Sequence, residues 1–101
     1  MSPKLSKLIP RPPRKLTGEP LKLWDDIATG WQLDAPGLAV LAQACESLAL
    51  LRAAEKKLAS QGLTVKDRFK QDKANPLVIV VRDLRSSHLR ALKQLQLAGE
   101  K

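Results

Sequence analysis

Cysteine occurs once in the 101 residues, at Cys45, and histidine once, at His88. One thiol cannot close an intrachain disulfide, and one thiol with one imidazole cannot make a His/Cys metal set, so no covalent staple or such metal site is expected. Aromatics are as scarce: Trp24, Trp31 and Phe69 stand alone, without tyrosine. Leu and Ala carry the apolar load instead, which favours helices over sheets. Long apolar runs are missing too. The longest apolar-rich stretch, Leu38 to Leu51, is short for a bilayer and contains Gln43 and Glu46. Pro3, Pro10, Pro12 and Pro13 interrupt the N-terminal region, which therefore lacks the apolar core of a signal peptide. A cytoplasmic protein with no membrane partner is expected. The five glycines are scattered and form neither GxxxxGK[ST] nor GxGxxG, so no phosphate-cradling loop is present.

Acidic residues are absent from the first fifteen positions, where Lys4, Lys7, Arg11, Arg14 and Lys15 contribute +5 of the net +8. Residues 16–62 carry −2, residues 63–75 carry +2, and residues 76–101 carry +3. A near-neutral middle between basic ends points to a polyanion bound at the periphery of the folded core.

Four prolines within thirteen residues exclude a regular helix in residues 1–15 and predict an extended, flexible basic arm. Residues 16–97 then read as one helical core and oligomerisation domain, and 98–101 as a tail. The expected fold is all-α, with about three helices, one of them long and central. Between helices two and three the chain from Leu63 to Phe69 reads as a short two-stranded ribbon or an irregular loop.

The first helix is expected to start after Thr17, a capping residue, and to end at Gly30. The spacing of Leu21, Trp24, Ile27, Ala28 and Trp31 places both tryptophans on its inner face. The second runs from the N-cap Asp34 through Pro36 to the closing Gly62, roughly 26 residues or about 40 Å. Its polar groups Gln43, Glu46 and Ser47 form one narrow stripe. Leu38, Leu41, Cys45 and Leu48 form one apolar flank, and Val40, Ala44, Leu51 and Leu58 a second. A helix apolar nearly all round must be covered nearly all round, and two short neighbours cover only one flank. The second flank, with Val81 and Leu84 of the last helix, is therefore expected to face another subunit.

The last helix opens at Asn75-Pro76, a cap followed by the preferred first-position proline. Leu77-Val-Ile-Val-Val has strand propensity, but Leu77, Val81, Leu84, His88, Ala91 and Leu95 keep a heptad-like spacing for nearly twenty residues. The longer period predicts a helix, with Arg82, Arg85, Arg90 and Lys93 off the seam.

No catalytic constellation emerges. His88 falls on the buried seam, where it reads as a packing residue. Asp25 and Asp26, adjacent on a helix, point about 100° apart and make a poor acid/base pair. No enzyme activity, cofactor or metal is expected. Helices one and two superficially resemble a helix-turn-helix, but the turn opening helix two, Ala35-Pro-Gly-Leu-Ala, holds no base-reading side chain and lies among Asp25, Asp26 and Asp34. Candidate contacts to DNA are instead Lys4, Lys7, Arg11, Arg14 and Lys15 of the arm, Lys66, Arg68, Lys70 and Lys73 of the loop, and Arg82 and Arg85 of the last helix.

The order Pro12-Pro-Arg-Lys-Leu-Thr, Leu23-Trp-Asp-Asp-Ile, Leu33-Asp, Arg52-Ala-Ala-Glu-Lys-Lys-Leu, Gly62-Leu-Thr-Val-Lys and Asn75-Pro-Leu resembles the terminase small subunits of tailed bacteriophages over about residues 10–97. That resemblance implies a homo-oligomeric ring in the cytoplasm of a bacterial host. Such a ring recognises double-stranded viral DNA and recruits and regulates the large ATPase–nuclease subunit. Leu77-Val-Ile-Val departs from the more usual Ala-rich start of the last helix. Read without the resemblance, the same residues also suit a small helical protein-binding adaptor or a dimeric DNA-binding regulator.

Overall fold

A computed structural model describes residues 10–12 and 16–99, with side chains through Gln96. Three helices and one ribbon follow in order: α1 (Gly18–Gly30), α2 (Ala35–Gln61), β1 (Thr64–Lys66), β2 (Asp72–Ala74) and α3 (Leu77–Gly99). The all-α expectation holds, and the segment after Gly62 is a ribbon.

The ends of α2 are set by local chemistry. The Asp34 carboxylate accepts the Gly37 N–H at 2.9 Å, and Pro36 occupies the first turn, where its missing donor costs nothing. Gly37 is there because a Cβ would lie 3.1 Å from both Asp34 Oδ1 and Leu33 Cβ. Gly62 closes the helix at φ 88°, its N–H returning to the Leu58 carbonyl at 2.7 Å. The 27 residues of α2 have the length and composition to cross a membrane, which the shorter stretch Leu38 to Leu51 did not suggest. Core helices share that property, and α2 buries Leu41, Ala44, Cys45, Leu48 and Leu51 within the protomer.

α1 packs Trp24 and Ala28 into a cluster with Leu41, Cys45 and Leu95, bordered by Leu16, Leu23, Ile27, Leu33 and Leu38. Trp31 departs from the expected inward pair. The helix ends at Gly30, Trp31 takes an extended backbone (φ −122°, ψ 146°), and its side chain is 37% exposed. Helical periodicity ceased to apply one residue too early for it. Thr17 holds the N-cap position without a side-chain cap bond, while the first-turn carboxylate of Glu19 is taken by Arg52 of α2.

β1 and β2 pair antiparallel with Thr64 opposite Ala74, Val65 opposite Lys73 and Lys66 opposite Asp72. Asn75 joins the pieces. Its amide donates to Gln61 Oε1 (3.1 Å) and the Gly62 carbonyl (2.9 Å), and its side-chain oxygen accepts the Leu77 N–H (3.0 Å). α3 then runs antiparallel back along α2, burying Val81, His88, Ala91 and Leu95, the heptad seam read from the sequence. The molecule is elongated, 62 × 24 × 15 Å, with a radius of gyration of 17.5 Å. A compact domain of this length has about 13 Å.

Candidate nucleic-acid interface

The ribbon carries the densest group of candidate cations on a defined scaffold. Its turn, residues 67–71, is held from inside by Asp67. The carboxylate oxygen Oδ1 accepts the Phe69 N–H at 2.8 Å and the Gln71 N–H at 3.0 Å. The Asp67 carbonyl accepts the Lys70 N–H at 2.9 Å, and the Asp67 N–H donates to the Gln71 carbonyl at 2.9 Å. An aspartate that caps its own turn is a known local solution, and here it consumes one of the two ribbon acids. The other, Asp72, pairs with Lys66 at 2.7 Å. Arg68, Lys70 and Lys73 project from this frame as exposed cations, and among the described residues none of the three forms an ion pair.

Lys70 is the only non-glycine among the described residues with a left-handed backbone, φ 62°. Such a conformation costs a non-glycine residue about 1 kcal/mol. Phe69 beside it is 69% exposed, with the Arg68 guanidinium 5.1 Å from the ring centroid.

The remaining candidates are distributed. Arg11 is exposed, and the chain beside it is tied down: the Trp24 indole N–H donates to the Pro10 carbonyl at 3.0 Å. Lys4, Lys7, Arg14 and Lys15 lie outside the described residues. Arg82 is exposed beside Asp83 at 3.5 Å. Arg85 instead binds Glu55 of α2 at 2.8 Å and is committed to helix packing. Trp24, which holds Pro10, packs near Leu41, whereas the ribbon follows Gln61. Twenty residues of α2 separate them, about 30 Å along the helix axis. Among the described residues, Arg11 beside Pro10 is thus set apart from the ribbon cations Lys66, Arg68, Lys70 and Lys73.

Between α1, α2 and α3 lies an open groove of about 270 Å³ lined by Glu19, Lys22, Leu23, Asp26, Leu48, Arg52, His88 and Leu92. Its charges are largely engaged with one another. Arg52 reaches Glu19 at 2.8 Å and Glu55 at 2.8 Å, and Lys22 pairs with Asp26 at 3.1 Å. The hydrogen bond from Arg52 holds the Glu19 carboxyl below its ordinary value, and Arg85, then Arg52, does the same for Glu55. His88 Nδ1 lies 3.0 Å from the Ala44 carbonyl, which can only accept, so Nδ1 carries the proton. Ser47 Oγ, 3.2 Å from the same nitrogen, also donates to Ala44 at 3.0 Å. Burial pushes the Cys45 thiol up to about 11, leaving it a neutral packing group at pH 7. Among the described residues no group of three His, Cys, Asp or Glu side chains is placed to hold a metal ion.

Of the residues expected at a subunit contact, Ala44, Leu51 and Val81 are buried by the chain's own helices; Leu51 is 3% exposed. Val40, Leu58 and Leu84 are half-buried. The exposed apolar side chains are others: Leu50 on α2, Leu63 before the ribbon, and Val78, Ile79, Val80 and Leu89 on α3. Their signal was in the sequence as the β-branched run Val78-Ile-Val, which the helical seam leaves outside.

A small helical protein with a basic ribbon at one end and uncovered apolar residues along α3 is thereby defined. Residues 22–100 match the family described as phage terminase, small subunit. The chain belongs to that family, and membership carries a role in phage DNA packaging. No curated protein and no solved structure matches it.

Proposed function

We propose that this chain is the DNA-recognition subunit of a packaging terminase, a non-catalytic protein that assembles into a homo-oligomeric ring and brings in the large ATPase–nuclease subunit. The observation that carries the DNA reading is the ribbon, where Arg68 and Lys70 on a turn braced by Asp67, and Lys73 on β2, form no ion pair among the described residues. Unneutralised cations on a fixed frame suit a phosphate backbone, whose binding releases condensed counterions. The arm residues Lys4, Lys7, Arg11, Arg14 and Lys15 extend the same contact, and Lys66, Arg82 and Arg85 join it only by leaving Asp72, Asp83 and Glu55.

Self-assembly is supported by the thinness of the protomer, 15 Å in its shortest dimension, and by Leu50, Val78, Ile79, Val80 and Leu89 left in water. A ring supplies the missing layer, and half-buried Val40, Leu58 and Leu84 border such contacts. On this reading a charge at Ile79 acts on the contact between copies, whereas a charge at Leu51 acts on the protomer core.

Replacing Arg11, Arg14 and Lys15 together with alanine tests the arm. Titration of duplex DNA across a salt series is expected to show weaker binding for all sequences. The slope of log K against log salt should be shallower by about 0.9 for each phosphate no longer neutralised. An unchanged slope and affinity would remove the arm from the interface.

A further inference from the structure

The Phe69 ring lies outside the core cluster and meets the Arg68 guanidinium. It is 69% exposed at the tip of a ribbon whose turn is fixed by four hydrogen bonds, so its exposure is imposed rather than incidental. Holding it there requires the left-handed backbone at Lys70, a conformation maintained only where surrounding bonds over-determine it. Cations neighbour the ring in the ribbon: Arg68 lies over its face, Lys70 follows it in the chain, and Lys73 stands on β2. The occupant of this tip must therefore offer an apolar surface next to closely spaced negative charge. Double-stranded DNA does so, presenting sugar and base edges between phosphate rows, and apolar side chains on basic elements are used as groove wedges. A second copy of the chain fits less well, because it would have to neutralise three adjacent cations with a molecule of net charge +8.

We infer that Phe69 is a DNA-contacting residue that presses into a groove while Arg68, Lys70 and Lys73 hold the adjoining phosphates. The inference rests on the DNA-recognition reading above and adds a contact that does not depend on salt. Phosphate contacts set the slope of log K against log salt, whereas an apolar contact shifts log K without changing that slope. The two kinds of residue therefore leave different signatures.

The test is a salt-series titration of labelled duplex DNA with the full chain and with two variants, alongside light scattering of each protein. Phe69→Ala is expected to lose about tenfold in affinity at every salt concentration, with the slope and the assembled mass unchanged. Lys70→Gln is expected to reduce the slope by about 0.9, the value for one phosphate. Wild-type affinity for Phe69→Ala would overturn the wedge while leaving DNA recognition in place. A loss of affinity accompanied by a loss of assembled mass would also overturn it, and would place the ring against a neighbouring copy. Failure of the unaltered chain to bind DNA would overturn both readings together.

Discussion

Asn75 is 3% exposed and shows how one side chain sets the end of the molecule. Its amide closes the α2 terminus through Gln61 and Gly62, its oxygen caps α3 at Leu77, and its own N–H donates to the Leu63 carbonyl at 2.8 Å. An aspartate can keep the cap but not the two amide donations, and alanine keeps neither. Asn75→Ala should therefore cost about 1–2 kcal/mol, combining a missing cap with two lost hydrogen bonds whose acceptors, on the exposed Gln61 and Gly62, can turn to water. Denaturant unfolding measures this directly, and a cost below about 0.5 kcal/mol would mean that the ribbon and α3 are not fastened here. The Asn75-Pro76 pair could be read in the sequence as a helix start. Its second role, joining α3 to the end of α2, could not, because that contact spans 13 to 14 residues and depends on where Gln61 and Gly62 come to rest.

At the scale of elements, long-period patterns were legible and coverage was not. Asp34, Pro36 and Gly62 bounded α2 by their own chemistry, and the heptad from Leu77 to Leu95 outweighed the strand propensity of its first turn. Which flank of α2 would remain uncovered depended on how closely α3 returns along it, a tertiary fact. α3 comes back over Ala44, Ser47 and Glu55, so Ala44 and Leu51 are enclosed while Leu50 is left in water. The DNA candidates divide in the same way. The basic residues of the loop were visible as charges, but the bracing by Asp67, the pairing of Lys66 and the commitment of Arg85 required the fold.

The three helices are also linked by a chain of charges, Glu19–Arg52–Glu55–Arg85, crossing from α1 through α2 to α3. Both carboxyls are held below the ordinary 4.5 by their arginine partners. A lowered folded-state value means the stabilisation is complete above the unfolded value and disappears as pH falls through the folded one. Stability should accordingly be flat near neutrality and fall as pH drops below 4.5, and Arg52→Ala should make that acid fall shallower. Thermal melts over the acid range read this out. An equal acid dependence in Arg52→Ala would show that the network does not couple the helices. These pairs are exposed, so the effect is modest and diminishes with salt.

The whole molecule is a thin plank. Trp24 holds Pro10 about 30 Å along α2 from the basic ribbon, and exposed apolar residues of α3 lie along the side. Its radius of gyration is 17.5 Å, against about 13 Å for a compact domain of this length. On the proposed reading this is a subunit completed by its own copies and presented to DNA; the family itself is that of the phage terminase small subunits. Family membership could be read from the order of short motifs; the placement of Phe69 and of the uncovered α3 face came from the structure.

Assembly and DNA binding by the same species are tested most directly by sedimentation velocity of the full chain with a labelled DNA duplex at moderate salt. The expected result is a discrete species of several subunits that carries the duplex with it and releases it as salt is raised. A single 11.1 kDa species leaving the duplex at its free sedimentation rate would contradict this picture of the molecule.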